Sequence, residues 1–320
     1  MSDNMVAVDC DLVGFKAAAA CETRTIDVHD GDLHLGNYPN RTAFKKYLAD
    51  TYPDKTIADF QIEDKQEVDS VANCLHTVKV MLNGIREACG VNHVKAIVQG
   101  QGNFRDDLLL PSKYKGNREG SIRPVLLGEC KSYITRQYDH EYANGQESDD
   151  VCSSYAYKGW KERKLIVQSS TDKDANHNVG LLYNWDKMNK PELIQGFGFI
   201  QRDAKGKVSG KGRKWFYHQI LFGDRADNYC PYELSGKRFG EKSSYDLLMF
   251  TESDHTCWQA IWDQYNIWYP EPFEYEAWNG EKVQGSALQQ LQLYIDCAHM
   301  RRWENDRLNA EEILSKMGVN

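Results

Sequence analysis

Closely spaced acidic residues occur at four places along this sequence. Carboxylate oxygens are hard ligands, which Mg²⁺ and Mn²⁺ prefer, and each ion usually takes one or two of them. Two such ions about 4 Å apart can hold a phosphate group and activate a water molecule for its hydrolysis. If the acidic groups meet in one pocket, they therefore predict a site for two Mg²⁺ or Mn²⁺ ions. The candidate metal ligands are Asp9, Asp11, Glu147, Asp149, Asp150, Asp172, Asp174, Asp224 and Asp227.

Each acidic group also has a structural explanation when it is considered alone. Asp9 and Asp11 follow an apolar run, where aspartate often forms a turn. Asp149 and Asp150 precede a helical pattern, and acids at a helix start complement its dipole. The two later groups suit solvated loops or turns. The metal hypothesis therefore depends on the four groups meeting in space.

A short basic segment interrupts this acidic chain. It contains Lys113, Lys115, Arg118 and Arg123 in a stretch broken by glycine, although the whole chain has a formal net charge of -8. Nucleic-acid-binding proteins are often basic, so the net charge is a point against such a function. Arginine and lysine side chains nevertheless bind phosphate oxygens. The segment is therefore either a phosphate anchor beside the acidic groups or a solvated loop.

Strands that alternate with helices must position these groups. Val6–Val8, Val94–Val98 and Leu165–Val167 are short apolar runs, typical of buried strands. Apolar residues at spacings of three and four over residues 68–89 predict a helix that Gly90 ends. The first and third runs lead into acidic groups, and ligands in such sheets bind at the carboxyl ends of the strands. The sequence therefore predicts an α/β domain with a mostly parallel sheet.

Additional elements are expected outside these runs. Residues 23–38 suggest a hairpin, and Asn40 is a candidate N-cap for a short helix. A second β-hairpin is expected within residues 179–217. Helical patterns dominate after that segment, and the last helix is predicted to follow Asn309.

The composition excludes several classes of protein. With 41% hydrophobic residues in 320, the chain can form a sizeable core. Its nine cysteines include no CxxC pair, which predicts reduced thiols in a reducing compartment. No apolar run approaches the roughly 20 residues of a membrane span, and no leader is recognisable, so a cytoplasmic location is expected.

Several motifs follow one another in a distinctive order. They are Asp9 after a strand, Phe104-Arg105, Tyr114-Lys115-x-x-Arg118, Glu147-x-Asp149-Asp150, Thr171-Asp172-Lys173-Asp174 and Gly223-Asp224-x-x-Asp227-Asn228. In this order the chain resembles the flap endonuclease and phage 5′–3′ exonuclease family, in its bacteriophage branch. The similarity runs over about residues 6–248 and is weak in 23–65 and 186–212.

The resemblance implies a PIN-like core in residues 1–190 and a helix–hairpin–helix-type DNA-binding region, with a β-hairpin insert and C-terminal helices, in 191–320. It implies that the acidic residues above bind metal or support its ligands, and that Lys115, Arg118 and, less directly, Lys113 act on the scissile phosphate. The residues expected to contact DNA are Arg105, Tyr114, Arg123, Gly240, Lys242 and Ser243.

The activity that the resemblance implies is metal-dependent 5′–3′ hydrolysis of DNA phosphodiester bonds, exonucleolytic or structure-specific. Its partner would be duplex or flap DNA with a 5′ end, without an organic cofactor, in phage DNA metabolism in the host cytoplasm. One departure concerns the end of the second strand, where the family has an aspartate and this chain has Gln99 and Gly100. A second is the segment Tyr229–Leu234, which replaces a glycine-rich stretch of the hairpin.

Two other functions remain open at this point. Asp9-Cys10-Asp11 also resembles the nucleophile motif of haloacid-dehalogenase-type phosphatases, in which Asp9 would attack phosphorus, and Gly223-Asp224 with Asp227 resembles their late acidic motif. That hypothesis leaves the group at Glu147 and the basic segment unexplained. A non-catalytic nucleic-acid-binding module on a PIN-like core is the other alternative, and the missing aspartate near Gln99 favours it slightly.

Overall fold

The computed structural model describes residues 4–319, and its contacts divide the chain into two compact units. The core unit comprises residues up to 11, 83–121 and 138 onward, and the second unit comprises residues 12–82 and 122–137. The boundary near residue 190 was predicted between two functional regions. It is a different division of the chain and stays a prediction.

The helices and strands alternate through the first half of the chain. The strands are β1 (Met5–Asp9), β2 (Glu22–Asp30), β3 (Leu33–Tyr38), β4 (Gln61–Val68), β5 (His93–Gln99), β6 (Asp139–Ala143), β7 (Ile166–Ser169), β8 (Gly180–Tyr183), β9 (Glu192–Ile194), β10 (Phe199–Arg202), β11 (Val208–Lys211), β12 (Phe273–Glu276) and β13 (Lys282–Gly285). The helices are α1 (Cys10–Ala20), α2 (Arg41–Thr51), α3 (Val71–Ala88), α4 (Leu127–Gln137), α5 (Ser148–Glu162), α6 (Arg213–Phe222), α7 (Glu241–Leu248), α8 (Asp254–Trp268), α9 (Ala287–Ala298) and α10 (Ala310–Met317). Within residues 4–319, none of these helices is long and apolar enough to cross a membrane.

The core unit contains a six-stranded sheet in the order β6-β5-β1-β7-β8-β9. Neighbouring strands are parallel except for β8 and β9. Every residue of the central strand β1 is buried, which explains its continuous apolar sequence. The carboxyl ends of β1, β5 and β7 lie at one edge of the sheet, where the acidic groups begin. The predicted mostly parallel α/β core is confirmed.

The second unit contains a three-stranded antiparallel sheet in the order β3-β2-β4. Ile26 and Val28 of β2 pack with Phe44 of α2, because alternate residues of a strand face the same side. Helix α2 begins at Asn40, whose Oδ1 accepts a hydrogen bond of 2.8 Å from the backbone N–H of Ala43. The predicted first hairpin and the predicted N-cap are both confirmed.

Helices α6, α8, α9 and α10 of the core unit enclose a separate apolar core around Ile220, Tyr265 and Tyr294. Helices α6 and α7 flank the loop of residues 223–240, as expected for a helix–hairpin–helix-type element. Strands β10 and β11 form the predicted hairpin insert, and the last helix follows Asn309 as predicted. The hairpin of β12 and β13 was not predicted.

Candidate active site

The acidic residues predicted to bind metal all belong to the core unit. Asp9 ends β1 and Asp11 lies in the first turn of α1. Glu147 is the N-cap of α5, and Asp149 lies in the first turn of that helix. The remaining groups lie in the loop after β7 and in the loop after α6. Strand ends and helix starts therefore carry the site.

The tightest group consists of Asp174, Asp224 and Asp227. One carboxylate oxygen of each lies within 4.8 Å of the other two. The loop that carries two of them turns at Gly223, whose φ is +83°, and a Cβ at this position would lie 2.4 Å from the Tyr229 carbonyl oxygen. Only glycine fits there without strain. Glycine at position 223 is therefore a requirement of this turn.

Tyr114 and Lys115 connect this group to Glu147. The Tyr114 hydroxyl lies 3.0 Å from Glu147 Oε2 and 2.9 Å from Asp227 Oδ2, so it can donate to either. Lys115 Nζ forms an ion pair with Glu147 Oε1 and lies 3.7 Å from Asp227 Oδ1. Lys115 has a left-handed backbone with φ of 53°, and its N–H donates to the Asp227 carbonyl oxygen at 2.9 Å. The backbone thus holds this ammonium between two carboxylates.

A serine connects the acids at the ends of the strands. Ser148 Oγ lies 3.3 Å from Asp9 Oδ1 and 3.1 Å from Asp11 Oδ2. Asp11 Oδ2 also accepts a hydrogen bond of 2.6 Å from the backbone N–H of Gln99. The Gln99 side chain donates to the Gln146 carbonyl oxygen at 2.9 Å. Gln99 stands where the resembled family has an aspartate, and its side chain stabilises the segment before α5. Asp11 in turn stabilises the end of β5.

Burial makes several of these carboxylates difficult to ionise. Burial raises the pKa of Asp174 well above its ordinary value, and repulsion from Asp172 adds to this shift. Burial and the nearby Glu147 also raise the pKa of Asp149, and burial raises that of Asp227. Gathered carboxylates repel each other unless a cation compensates them, and oxygen donors suit hard divalent ions. The donor set therefore fits a divalent metal.

Asp150 has a different environment from the other acids. It is 0% exposed, and the Arg105 guanidinium donates to both of its oxygens, at 2.6 and 3.1 Å. The Arg301 backbone N–H donates to Asp150 Oδ1 at 3.1 Å. Burial acts to raise the pKa of Asp150, but Arg105 outweighs it, and the pKa lies below the ordinary value. The prediction that Asp150 binds metal conflicts with this arrangement, because both oxygens are already engaged.

Two residues predicted to contact DNA are buried. Arg105 is 1% exposed and also donates to the carbonyl oxygens of Cys297, at 2.9 Å, and His299, at 2.8 Å. Tyr114 is 3% exposed, and its hydroxyl faces the acids. A side chain without exposed surface cannot reach a phosphate or stack on a base, so both predictions of direct DNA contact are wrong. Arg105 and Tyr114 instead hold the acidic groups in place.

The other basic residues lie in three different places. Arg118 is half-exposed, and its guanidinium donates to Asp227 Oδ1 at 2.7 Å. Lys113 Nζ contacts Glu119 Oε1 at 2.5 Å and lies 5.1 Å from the centre of the Trp278 ring, in a pocket of about 630 Å³. Three residues were predicted to act on phosphate. Lys115 and Arg118 contact acids of the site, whereas the ion pair of Lys113 is with Glu119, which is not one of those acids. Arg123 is exposed in the second unit.

The predicted duplex-binding residues lie at the start of α7. Gly240 is its N-cap, and Lys242 and Ser243 are exposed in its first turn. Lys242 Nζ lies 3.5 Å from Asp246 one turn later. These three residues remain predicted DNA contacts.

Several residues that shape the site were not singled out from the sequence. Lys173 Nζ lies 2.8 Å from Asp224 Oδ2, and Gln219 Nε2 donates to Asp174 Oδ1 at 2.6 Å. Ser148 and Arg301 contact acids as described above. The position of Ser148 between two acids at a helix start was a usable signal, because serine is common there. Nothing in the local sequence around Arg301 indicated its role.

Solved structures have the same architecture. The chain matches a structure of bacteriophage T5 5′-exonuclease with bound zinc at 14% sequence identity and a TM-score of 0.51, over 98% of this chain and 96% of that chain. At this level of identity the match shows a shared fold, that of the T5 5′-exonuclease structure.

Two other structures match this chain at lower scores. A T5 protein co-crystallised with metal ions gives 14% identity and a TM-score of 0.47, over 98% of this chain and 96% of that chain. A T5 flap endonuclease in complex with DNA and metal ions gives 12% identity and a TM-score of 0.44, over 98% and 97%. No protein-family model and no curated protein matches the sequence.

Proposed function

We propose that this chain is a divalent-metal-dependent nuclease that hydrolyses phosphodiester bonds of DNA. The observation that carries this proposal is the meeting of Asp174, Asp224 and Asp227 within 4.8 Å, with Arg118 at 2.7 Å from Asp227. Carboxylates that face each other bind a hard cation, and an adjacent guanidinium binds phosphate. The similar T5 5′-exonuclease structure contains divalent metal ions, which supports the same chemistry here.

Mg²⁺ or Mn²⁺ would be held by two sets of residues. Asp174, Asp224 and Asp227 form one set, and Asp9 with Asp149 is the other set, taken from the sequence assignment. The bound ions would neutralise phosphate charge and lower the pKa of a water molecule. Asp150 is removed from the ligand set that the sequence predicted, because Arg105 occupies its oxygens.

The side chains around these acids supply positioning and charge. Burial acts to lower the pKa of Lys115, but Glu147 and Asp227 raise it above the ordinary value, so the ammonium stays charged. A fixed cation can stabilise the negative charge that develops on phosphate oxygens during the reaction. The half-exposed Arg118 can bind a phosphate through two N–H groups.

The order of the motifs also bears on the substrate. The order of motifs resembles that of 5′–3′ exonucleases and flap endonucleases, so we assign duplex or flap DNA with a 5′ end. Within residues 4–319, no side chain caps the backbone N–H groups at the start of α7, and beside the exposed Lys242 they suit the phosphates of a duplex. Phage DNA metabolism in the host cytoplasm is the setting that the same resemblance suggests.

Digestion of 5′-labelled and 3′-labelled duplexes and of a 5′-flap substrate tests this proposal. With Mg²⁺ or Mn²⁺ we expect short labelled products from the 5′-labelled strand early in the reaction, and none in EDTA. Early release of short products from the 3′-labelled strand would show the opposite, 3′–5′ polarity. Failure to cleave any DNA or RNA with either ion contradicts the nuclease proposal.

A chromogenic phosphate monoester tests the phosphatase alternative in the same preparation. That alternative accounts for Asp9, Asp11, Asp224 and Asp227 but not for Glu147 or for Lys115, which forms an ion pair with Glu147. We expect no turnover of the monoester. Hydrolysis of the monoester without cleavage of DNA would favour the phosphatase.

A further inference from the structure

The first hairpin of the second unit carries a group of side chains that has no part in the proposed nuclease site. Asp27 and His29 lie two residues apart on β2, so they share one face of the strand. His34 of β3 is the cross-strand partner of His29. The opposite face of β2 is apolar, with Ile26 and Val28 in the core of the unit. The hairpin therefore brings two partly exposed imidazoles against a buried carboxylate, on the face opposite its apolar side.

The three side chains converge closely. His34 Nε2 lies 2.5 Å from Asp27 Oδ1, and His29 Nε2 lies 3.8 Å from Asp27 Oδ2. The two imidazole rings have their centroids 4.9 Å apart. One ligand atom from each residue lies within 4.8 Å of the other two. In a tetrahedral zinc site with bonds of about 2.0–2.2 Å, ligand atoms are roughly 3.3–3.5 Å apart. The separations within the group, from 2.5 Å to at most 4.8 Å, lie on both sides of that spacing.

We propose that Asp27, His29 and His34 form a binding site for a divalent transition-metal ion of the zinc class. Neutral imidazole suits Zn²⁺ far better than Mg²⁺, which prefers oxygen ligands. Three protein ligands leave a fourth position for water, as in open zinc sites. The side chains of His29 and His34 are 32% and 52% exposed, so an ion can enter from solvent.

The ammonium group of Lys65 would compete with such an ion for the Asp27 carboxylate. This ammonium lies 2.6 Å from Asp27 Oδ2 and compensates the carboxylate charge. About half of the Lys65 side chain is exposed, so it can swing into solvent when a cation binds. Metal binding must displace this ammonium, which lowers the affinity. Removal of the Lys65 charge should therefore tighten metal binding.

The ion would connect β2 to β3 at an irregular point of the hairpin. The register of the two strands shifts between Val28 and His29, which is a β-bulge or a similar irregularity. A bulge interrupts the ladder of backbone hydrogen bonds, so an added cross-strand link stabilises the hairpin where its own ladder is weakest. This hairpin lies in the part of the sequence, residues 23–65, where the family resemblance is weak.

Equilibrium dialysis of the full chain against Zn²⁺ tests the site. The protein is first freed of metal with EDTA, and dialysis is carried out with excess Mg²⁺, so that the hard ion competes at the acidic site. We expect one Zn²⁺ per chain in addition to any Zn²⁺ that the acidic site retains, and His29→Ala or His34→Ala should lower the affinity for this ion by at least tenfold. Lys65→Met should bind Zn²⁺ several-fold more tightly than the wild type.

His93→Ala is the matched control. His93 Nε2 and Lys95 Nζ each lie 2.9 Å from an oxygen of Asp139, so this trio repeats the His-Asp-Lys arrangement with a single histidine. We expect zinc binding to be unchanged in this variant. Asp174→Asn should also keep this Zn²⁺, because its carboxylate belongs to the acidic site.

Co²⁺ absorption gives an independent readout of the ligands. Co²⁺ in a four-coordinate site containing imidazole should absorb more strongly in the visible region than hydrated Co²⁺, and His34→Ala should remove this absorption. Circular dichroism verifies that the variants are folded. Unchanged Zn²⁺ affinity in both His29→Ala and His34→Ala would overturn the proposal, whatever the outcome for DNA cleavage.

Discussion

Asp150 and Asp174 are both buried carboxylates, yet their neighbours give them opposite roles. Arg105 donates to both oxygens of Asp150, which stabilises its charged form. Asp174 receives one hydrogen bond from Gln219 and lies among Asp172, Asp224 and Asp227, whose repulsion the nearby Lys173 offsets only in part. Removing the charge of Asp150 therefore leaves a buried guanidinium without its partner, whereas removing the charge of Asp174 relieves repulsion.

The first residue-scale prediction concerns Asp174→Asn. Loss of one ligand should reduce Mg²⁺-dependent cleavage by about 100-fold. Without metal, the melting temperature should stay equal or rise, because the asparagine oxygen still accepts from Gln219 and the repulsion is smaller. Initial rates and thermal unfolding in EDTA measure the two effects. Asp263→Asn, on the exposed surface of α8, is the control, and a cleavage rate for Asp174→Asn close to that of the control would remove Asp174 from the site.

A second residue-scale prediction concerns Asp150→Ala. Removing one partner of a buried ion pair should lower the free energy of unfolding by about 3–5 kcal/mol, because the Arg105 charge is left uncompensated. Urea denaturation measures the loss. Asp64→Ala removes the half-exposed pair of Asp64 with Arg41 and should cost no more than about 1 kcal/mol. Equal losses in the two variants would show that the buried pair contributes no more than a surface pair.

Helix starts organise the site at the scale of elements. The start of α5 places Glu147, Ser148 and Asp149 within one turn. Acidic residues in that turn also stabilise the helix through its dipole. The structural and the functional explanations of this acidic group therefore apply together.

The start of α7 carries the element-scale prediction. Lys242→Ala should weaken binding to duplex DNA and lower the slope of log Kd against log salt concentration by about 1, because one phosphate contact is lost. Fluorescence anisotropy at several salt concentrations measures both quantities, with Ca²⁺ in place of Mg²⁺ to slow cleavage. Lys282→Ala, on the exposed strand β13, is the control. An unchanged salt slope in Lys242→Ala would argue against contact between α7 and DNA.

At the scale of the whole molecule, the last residues of the chain hold the centre of the core unit. The His299 carbonyl oxygen accepts from Arg105, and the Arg301 N–H donates to Asp150. Asp306 secures this segment through hydrogen bonds to His299 at 2.9 Å and to Arg302 at 2.7 Å. A segment that the family resemblance does not match is therefore part of the support of the site.

Truncation after Ala298 tests this support. Loss of these backbone groups and of the apolar contacts of α10 should lower the melting temperature by roughly 5 °C or more and reduce cleavage in parallel. Arg301→Ala keeps the backbone N–H and should be milder in both respects. A truncated chain with the melting temperature of the full chain would show that the segment is dispensable for stability.

Local features of the fold could be predicted from the sequence because they depend on neighbouring residues. The buried strand before Asp9, the N-cap Asn40 and the last helix after Asn309 were all predicted correctly. An N-cap needs only a side chain within reach of the next turn, and a buried strand needs only continuous apolar residues. The close spacing of the acids within each group was also visible in the sequence, because it too depends only on neighbouring residues.

Only the tertiary structure decided which of these acids face each other and which are already paired. Arg105 and Asp150 are 45 residues apart in sequence, and Arg105 and His299 are 194 apart. Such partners are selected by packing, which local periodicity does not specify. A basic and an acidic residue in suitable motifs therefore looked like a DNA contact and a metal ligand, and burial made them an internal ion pair.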